Sequence, residues 1–157
     1  MKQEILMNIL KIFHTVKNGS ILPDEHHIVR YCPPSKWSKD QKEIFSSAFE
    51  LSEKDLQSEF PYLSCAYLEY YAKNSFQKVC IDISKLRNTK DTGCFIKLNI
   101  GKIREIGKQN NHSNIIIRKC TSLKAPSYSG IFNTTNDEQL RIRLAVEATL
   151  RMRELNS

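Results

Sequence analysis

Apolar side chains recur at helical spacing over residues 2–17, where Ile5, Leu6, Ile9, Leu10, Ile12, Phe13 and Val16 form a broad stripe closed by Asn18-Gly19, and this predicts a first helix. The stripe is wider than a coiled-coil seam, which favours burial within the domain and leaves docking of a protein partner as its other use. After a turn at Leu22-Pro23-Asp24-Glu25, the stretch His26-His27-Ile28-Val29-Arg30-Tyr31-Cys32 predicts a short strand ended by Pro33-Pro34, neither of which can donate to a ladder. Its alternation is not clean, because Ile28, Arg30 and Cys32 fall on one face and Val29 and Tyr31 on the other. Residues 35–42 read as an exposed loop carrying Trp37, residues 44–51 as a second strand, and Ser52 as the cap of a helical turn. Residues 63–71 are rich in aromatics and predict a strand running into a short turn.

In the second half, Phe76, Val79, Cys80, Ile83 and Leu86 predict a helix over 75–86. Residues 93–103 alternate apolar Ile96, Leu98 and Ile100 with Lys97 and Asn99, which predicts a strand. A polar turn over 110–114 precedes the strand Ile115-Ile116-Ile117, which ends at Arg118-Lys119, and residues 125–131 read as a loop. The final helix is predicted over 136–155, with Thr135 and Glu138 at capping-box spacing and Leu140, Leu144, Ala148 and Met152 every fourth residue. Strands and helices do not alternate as in a doubly wound fold. The expected class is therefore α+β, a single domain over 1–157 in which a mostly antiparallel sheet carries the N- and C-terminal helices.

A chain of 157 residues can bury a core without disulfides or metal. The five cysteines are odd in number and lack a C-x-x-C pair, so reduced thiols in the cytoplasm are expected. Lys2, Glu4, Asn8 and Lys11 interrupt the first apolar stretch, and no membrane span is expected. Charge changes the picture more. The net charge is +7, and between Lys73 and Lys124 twelve basic residues face only Asp82, Asp91 and Glu105. A partner carrying phosphates follows, because lysine and arginine neutralise a polyanion and release its counterions. The candidate contacts are Lys78, Lys85, Lys97, Lys102, Arg118 and Lys119, with Tyr67, Tyr70, Tyr71 and Trp37 as planar faces for unpaired bases.

Phosphate-binding glycine loops, H-E-x-x-H and G-x-S-x-G are absent, and His26, His27 and Cys32 lack the paired spacing of a zinc site, so neither cofactor nor metal is expected. Five strand residues separate His27 from Cys32 by roughly 16 Å, too far for a cysteine and its base. Arg30, Ser46 or Ser47, and Glu69 follow the arginine–serine–glutamate order of ADP-ribosyltransferases. That resemblance implies an arginine on NAD phosphate and a glutamate on the ribose hydroxyl. The family's serine-threonine-serine triplet is missing, and Tyr67 stands where the glutamate's usual partner would be. The catalytic candidates are thus Arg30, Ser47, Glu69 and His27.

The blocks His27-Ile-Val-Arg30-Tyr31-Cys32-x-Pro, Leu63-Ser64 with Tyr67-Leu68-Glu69-Tyr70, Lys97-Leu98-Asn99-Ile100-Gly101 and Pro126-Ser127-Tyr128-Ser129 resemble those of small bacterial proteins of unknown function. Such proteins often carry tryptophan where Tyr67 stands and histidine where Tyr128 stands, so the resemblance implies a bacterial accessory protein and supplies no mechanism. The expectation is a non-catalytic nucleic-acid-associated module, an accessory subunit beside a larger effector in a toxin–antitoxin or phage-defence operon. An ADP-ribosyltransferase-like or nuclease-like toxin and a protein-interaction subunit are the alternatives.

Overall fold

The computed structural model describes residues 19–155, and the first predicted helix, with its proposed partner contact, lies outside them. In chain order the elements are β1 (His27–Cys32), β2 (Trp37–Ser38), β3 (Glu43–Ile44), α1 (Glu53–Leu56), β4 (Tyr62–Tyr67), α2 (Phe76–Leu86), β5 (Cys94–Asn99), α3 (Ile100–Gln109), β6 (Ile116–Lys119), β7 (Tyr128–Phe132) and α4 (Glu138–Leu155). Five strands form an antiparallel sheet in the order β5-β1-β4-β7-β6, and β2 and β3 form a separate small pair. The class is α+β, with the C-terminal helix packed on the sheet.

β1 shows no clean alternation because helices cover it on both faces. Ile28 and Cys32 join Leu63, Leu98 and the inward residues of α3 and α4, among them Ile103, Leu140, Leu144 and Ala148. Val29 and Tyr31 lie on the opposite face with Ala66 and Leu68, under Val79 and Ile83 of α2. No helix among the described residues is long and apolar enough to cross a membrane.

Several boundaries differ from the sequence reading for identifiable reasons. The strand expected over 93–103 stops at Asn99, whose side-chain oxygen accepts the Lys102 N–H at 2.8 Å and starts α3. Gly101 admits this turn, since a Cβ there would lie 3.0 Å from the Asp24 carbonyl oxygen. The loop expected over 125–131 gives way to β7 from Tyr128 onward. Its Pro, Ser and Gly residues carry turn signals, yet β4 and β6 pair with it on both sides and tertiary pairing wins. The strand expected over 44–51 reduces to Ile44 and a 3-10 turn, Ser46–Phe49, that buries Ala48 and Phe49. Trp37, expected in an open loop, lies on β2 and anchors it by donating from Nε1 to the Thr92 carbonyl at 3.0 Å. At α4 the cap is Asp137, whose Oδ1 accepts the Leu140 N–H at 2.8 Å, in place of the Thr135/Glu138 box.

Candidate functional site

The sheet is opened between two of its central strands. β1 pairs with β5 along all six of its residues, but with β4 only at Ile28↔Tyr67 and Val29↔Ala66. Beyond Val29 the two strands part, and the carbonyls left facing the gap need other donors. The Arg30 guanidinium supplies them: Nη1 donates to the Ser64 carbonyl at 2.5 Å, and Nη2 and Nε donate to the Ala48 carbonyl at 2.8 and 3.2 Å. Phe49 lies under the guanidinium, with its ring centre 5.9 Å away. The gap continues outward as a cleft of about 570 Å³ with Arg30 in its floor, lined also by Lys36, Lys54, Arg87, Tyr62 and Tyr128.

Arg30 is only 9% exposed, and among the described residues no carboxylate is hydrogen-bonded or ion-paired to it. A guanidinium offers five N–H groups, of which three are used here. Burial holds its pKa below the ordinary arginine value and the like charge of Arg87 adds to this, while Cys65, Cys32 and Asp55 act in the opposite direction. Arginine still keeps its proton, so the cleft floor holds a desolvated cation with no counter-ion bonded to it among the described residues. The two acids in the lining are engaged elsewhere. Glu50 lies 3.9 Å from Arg141, and Asp55 accepts the Ser52 N–H at 2.9 Å in the capping box of α1.

The walls are built on close approaches. Arg87 lies over the Tyr31 ring at 5.0 Å, and Tyr31 is fixed by the Lys90 N–H donating to its hydroxyl at 2.7 Å. A Cβ on Gly93 would fall 2.5 Å from that hydroxyl oxygen, so only glycine fits. On the opposite wall the Tyr62 and Tyr128 hydroxyls are hydrogen-bonded at 2.8 Å, and burial, aided by this bond, pushes the Tyr128 phenol far above its usual pKa. The Tyr62 ring lies over Gly130, where a Cβ would come within 2.6 Å of it.

A second group of side chains lies at the start of β1. Glu69 accepts the His27 backbone N–H at 2.8 Å on one oxygen and meets His27 Nδ1 at 2.6 Å with the other. His26 Nδ1 is hydrogen-bonded to the Tyr67 hydroxyl, and burial together with the Glu69 charge raises that phenol to about 12. His27 lines a separate cavity of about 530 Å³ with Lys97 and Lys102. The catalytic candidates therefore divide: Arg30 and Ser47 line the cleft, whereas Glu69 is bound to His27 three residues back along β1. The arginine–serine–glutamate set is not brought together. Cys32 is buried at the far end of β1 from His27, with its thiol 3.4 Å from the Lys36 carbonyl oxygen.

The expected phosphate contacts are dispersed. Lys78 lies over the Tyr71 ring at 5.5 Å, Lys85 stands 3.9 Å from Asp82, Lys102 is 3.3 Å from Glu105, and Arg118 donates to the Gly19 carbonyl at 2.9 Å. Lys119 requires a correction. It is buried, its ammonium donates to the Cys120 and Tyr128 carbonyls at 2.6 and 3.1 Å, and burial lowers its pKa, so it faces inward and offers nothing to a phosphate. The expected base platforms are also engaged, with Tyr67 buried and Tyr71 donating to Asp82 at 2.5 Å. Sequence reasoning missed Lys36, Lys54 and Tyr62, counted Arg87 only within the basic segment, and recognised Tyr128 only as part of a block. Long-range packing of two strands, a 3-10 turn and the ends of two helices brings these residues together, and no local spacing encodes it. Among the described residues no cluster of three His, Cys, Asp or Glu could hold a metal ion. No protein-family model, curated protein or solved structure matches the chain.

Proposed function

We propose that this protein is a nucleic-acid-associated accessory module that binds phosphate in the cleft between β1 and β4. The single observation that carries this reading is Arg30, a buried guanidinium in the cleft floor with two N–H groups to spare and no acid bonded to it among the described residues. A buried charge whose hydrogen-bond partners are all neutral favours whatever anion can supply the opposite charge. Lys36, Lys54 and Arg87 around the mouth draw a polyanion in, and Tyr62 and Tyr128 offer aromatic surface to a base or sugar. The basic excess over residues 73–124 adds a longer-range attraction. The five free thiols accord with a cytoplasmic setting. The resemblance to small bacterial proteins extends the reading to a subunit beside a larger effector in a toxin–antitoxin or phage-defence operon.

The test is a salt titration of binding to single- and double-stranded DNA and RNA, for the wild type and Arg30→Gln. Affinity should fall steeply with salt and drop further in the variant. Absent or salt-independent binding would sink the reading.

His27 favours one other reading, a nuclease-like enzyme. Its Nδ1 meets a carboxylate, which leaves Nε2 as the outer nitrogen on a cavity also lined by Lys97 and Lys102. RNA cleavage that disappears in His27→Ala and survives Arg30→Gln would support it, and no cleavage by the wild type would dismiss it.

A further inference from the structure

The cleft between β1 and β4 differs from a surface that tracks a nucleic-acid backbone, and the difference bears on which phosphate it takes. We infer that it recognises a phosphate monoester, that of a mononucleotide or of a nucleic-acid terminus, in preference to the internal diester of a continuous strand. This rests on the phosphate-binding reading above and narrows it.

Three features support the inference. The first is depth. Arg30 lies in the floor where two strands separate, with only 9% of its surface accessible, and a narrow point of access of this kind suits a group that enters end-on. An internal diester would have to bring a chain in and out past the same floor. The second is size. A cavity of about 570 Å³ falls within the 300–1,000 Å³ typical of small-ligand sites and suits one nucleotide, whereas duplexes and long strands are bound along open grooves.

The third is charge. Arg30, Lys36, Lys54 and Arg87 line the cleft with no acid ion-paired to any of them among the described residues, against Glu50 and Asp55, which face Arg141 and the Ser52 N–H. The excess of two positive charges matches a monoester, which carries between about −1.5 and −2 at neutral pH, better than a diester with one negative charge. The guanidinium of Arg30 is also held in a fixed orientation by the Ser64 and Ala48 carbonyls, so little ordering remains to be done when a phosphate oxygen arrives. Arg87, placed over Tyr31, and the bonded pair Tyr62–Tyr128 then flank the ester substituent.

The experiment compares calorimetric binding of inorganic phosphate, a nucleoside and its 5′-monophosphate, and one single-stranded oligonucleotide with a 5′-phosphate or a 5′-hydroxyl end. The phosphorylated ligand of each pair should bind about 10- to 100-fold more tightly, the factor expected for charge-assisted hydrogen bonds. Arg30→Gln should abolish the difference. Arg87→Gln, at an exposed position that does not endanger folding, should reduce it. Equal affinity for the two oligonucleotides, with the nucleotide no tighter than the nucleoside, would overturn the inference while leaving nucleic-acid binding intact. Binding of the mononucleotide without either oligonucleotide would keep the monoester site and overturn the nucleic-acid reading. Wild-type protein that binds none of them would overturn both.

Discussion

The guanidinium of Arg30 donates to the Ser64 carbonyl at the point where β1 has ceased to pair with β4, so one side chain does the work of the missing ladder. Arginine can do this because its planar fork reaches the Ala48 carbonyl at the same time. Lysine carries the same charge on a single nitrogen and cannot reproduce three bonds made from three separate nitrogens. Arg30→Lys should therefore lose about 1–3 kcal/mol, the cost of leaving a buried acceptor without its donor, while retaining a buried charge. Arg30→Met loses all the donors but also removes the buried charge, so its denaturant midpoint should be no lower than that of Arg30→Lys. A lysine variant as stable as the wild type would show that the fork is dispensable.

Gly130 sets the position of the tyrosine wall. With a Cβ required to sit 2.6 Å from the Tyr62 ring and 2.9 Å from that of Phe132, Gly130→Ala must displace both. Overpacking of this kind costs about 1–3 kcal/mol. Tyr62→Phe keeps the ring and removes only its hydroxyl bond to Tyr128, at about 0.5–1.5 kcal/mol. Urea midpoints should thus place Gly130→Ala at or below Tyr62→Phe, and the reverse order would mean that the ring moves freely.

Asp82 ties α2 to the segment before β7. It is 2% exposed, and one carboxylate oxygen accepts from the Tyr71 hydroxyl, the Ser127 hydroxyl and the Ser127 N–H at 2.5, 2.6 and 3.2 Å. Asp82→Asn removes the charge and can turn an NH₂ toward the same donors, so a loss of about 1.5–3 kcal/mol is expected. Ser127→Ala should cost less, about 1 kcal/mol. The local signature is faster hydrogen exchange at the Ser127 and Tyr128 amides in the Asp82 variant. Unchanged exchange there would disprove the tie.

The sequence made some of this legible through periodicity. The helix over 75–86 and the final helix lie within two residues of their predicted starts, because Val79, Ile83, Leu140 and Leu144 repeat along buried faces. β1 was identifiable from its two terminating prolines. α3 was hidden because Ile100 continues the alternation of Ile96 and Leu98, and only the cap at Asn99 breaks it. β7 was hidden because its residues favour turns and only its neighbours on both sides hold it extended. Arg30 stood out in the sequence as chemically unusual, but its role depends on a ladder that stops after two residue pairs, and a gap in pairing leaves no trace in local sequence. Lys119 shows the converse. A lysine beside an arginine at a strand end looks exposed, and the carbonyls that enclose it come from the turn that follows and from β7.

Acid should reveal the cap of α4. Asp137 accepts the Leu140 N–H at 2.8 Å, and this backbone bond, with His112 3.8 Å away, holds its carboxyl below the usual carboxylate range. A depressed folded-state pKa means that the native protein binds fewer protons than the unfolded chain. The stabilisation is therefore present above the unfolded value of about 4 and is lost as pH falls through the lower folded value. Asp137→Ala removes the cap at every pH, but there is less to remove in acid. The gap in thermal midpoint between wild type and variant should narrow as pH falls below about 4. A gap that stays constant into acid would mean that the carboxylate charge does not contribute and that the cap acts through its shape alone.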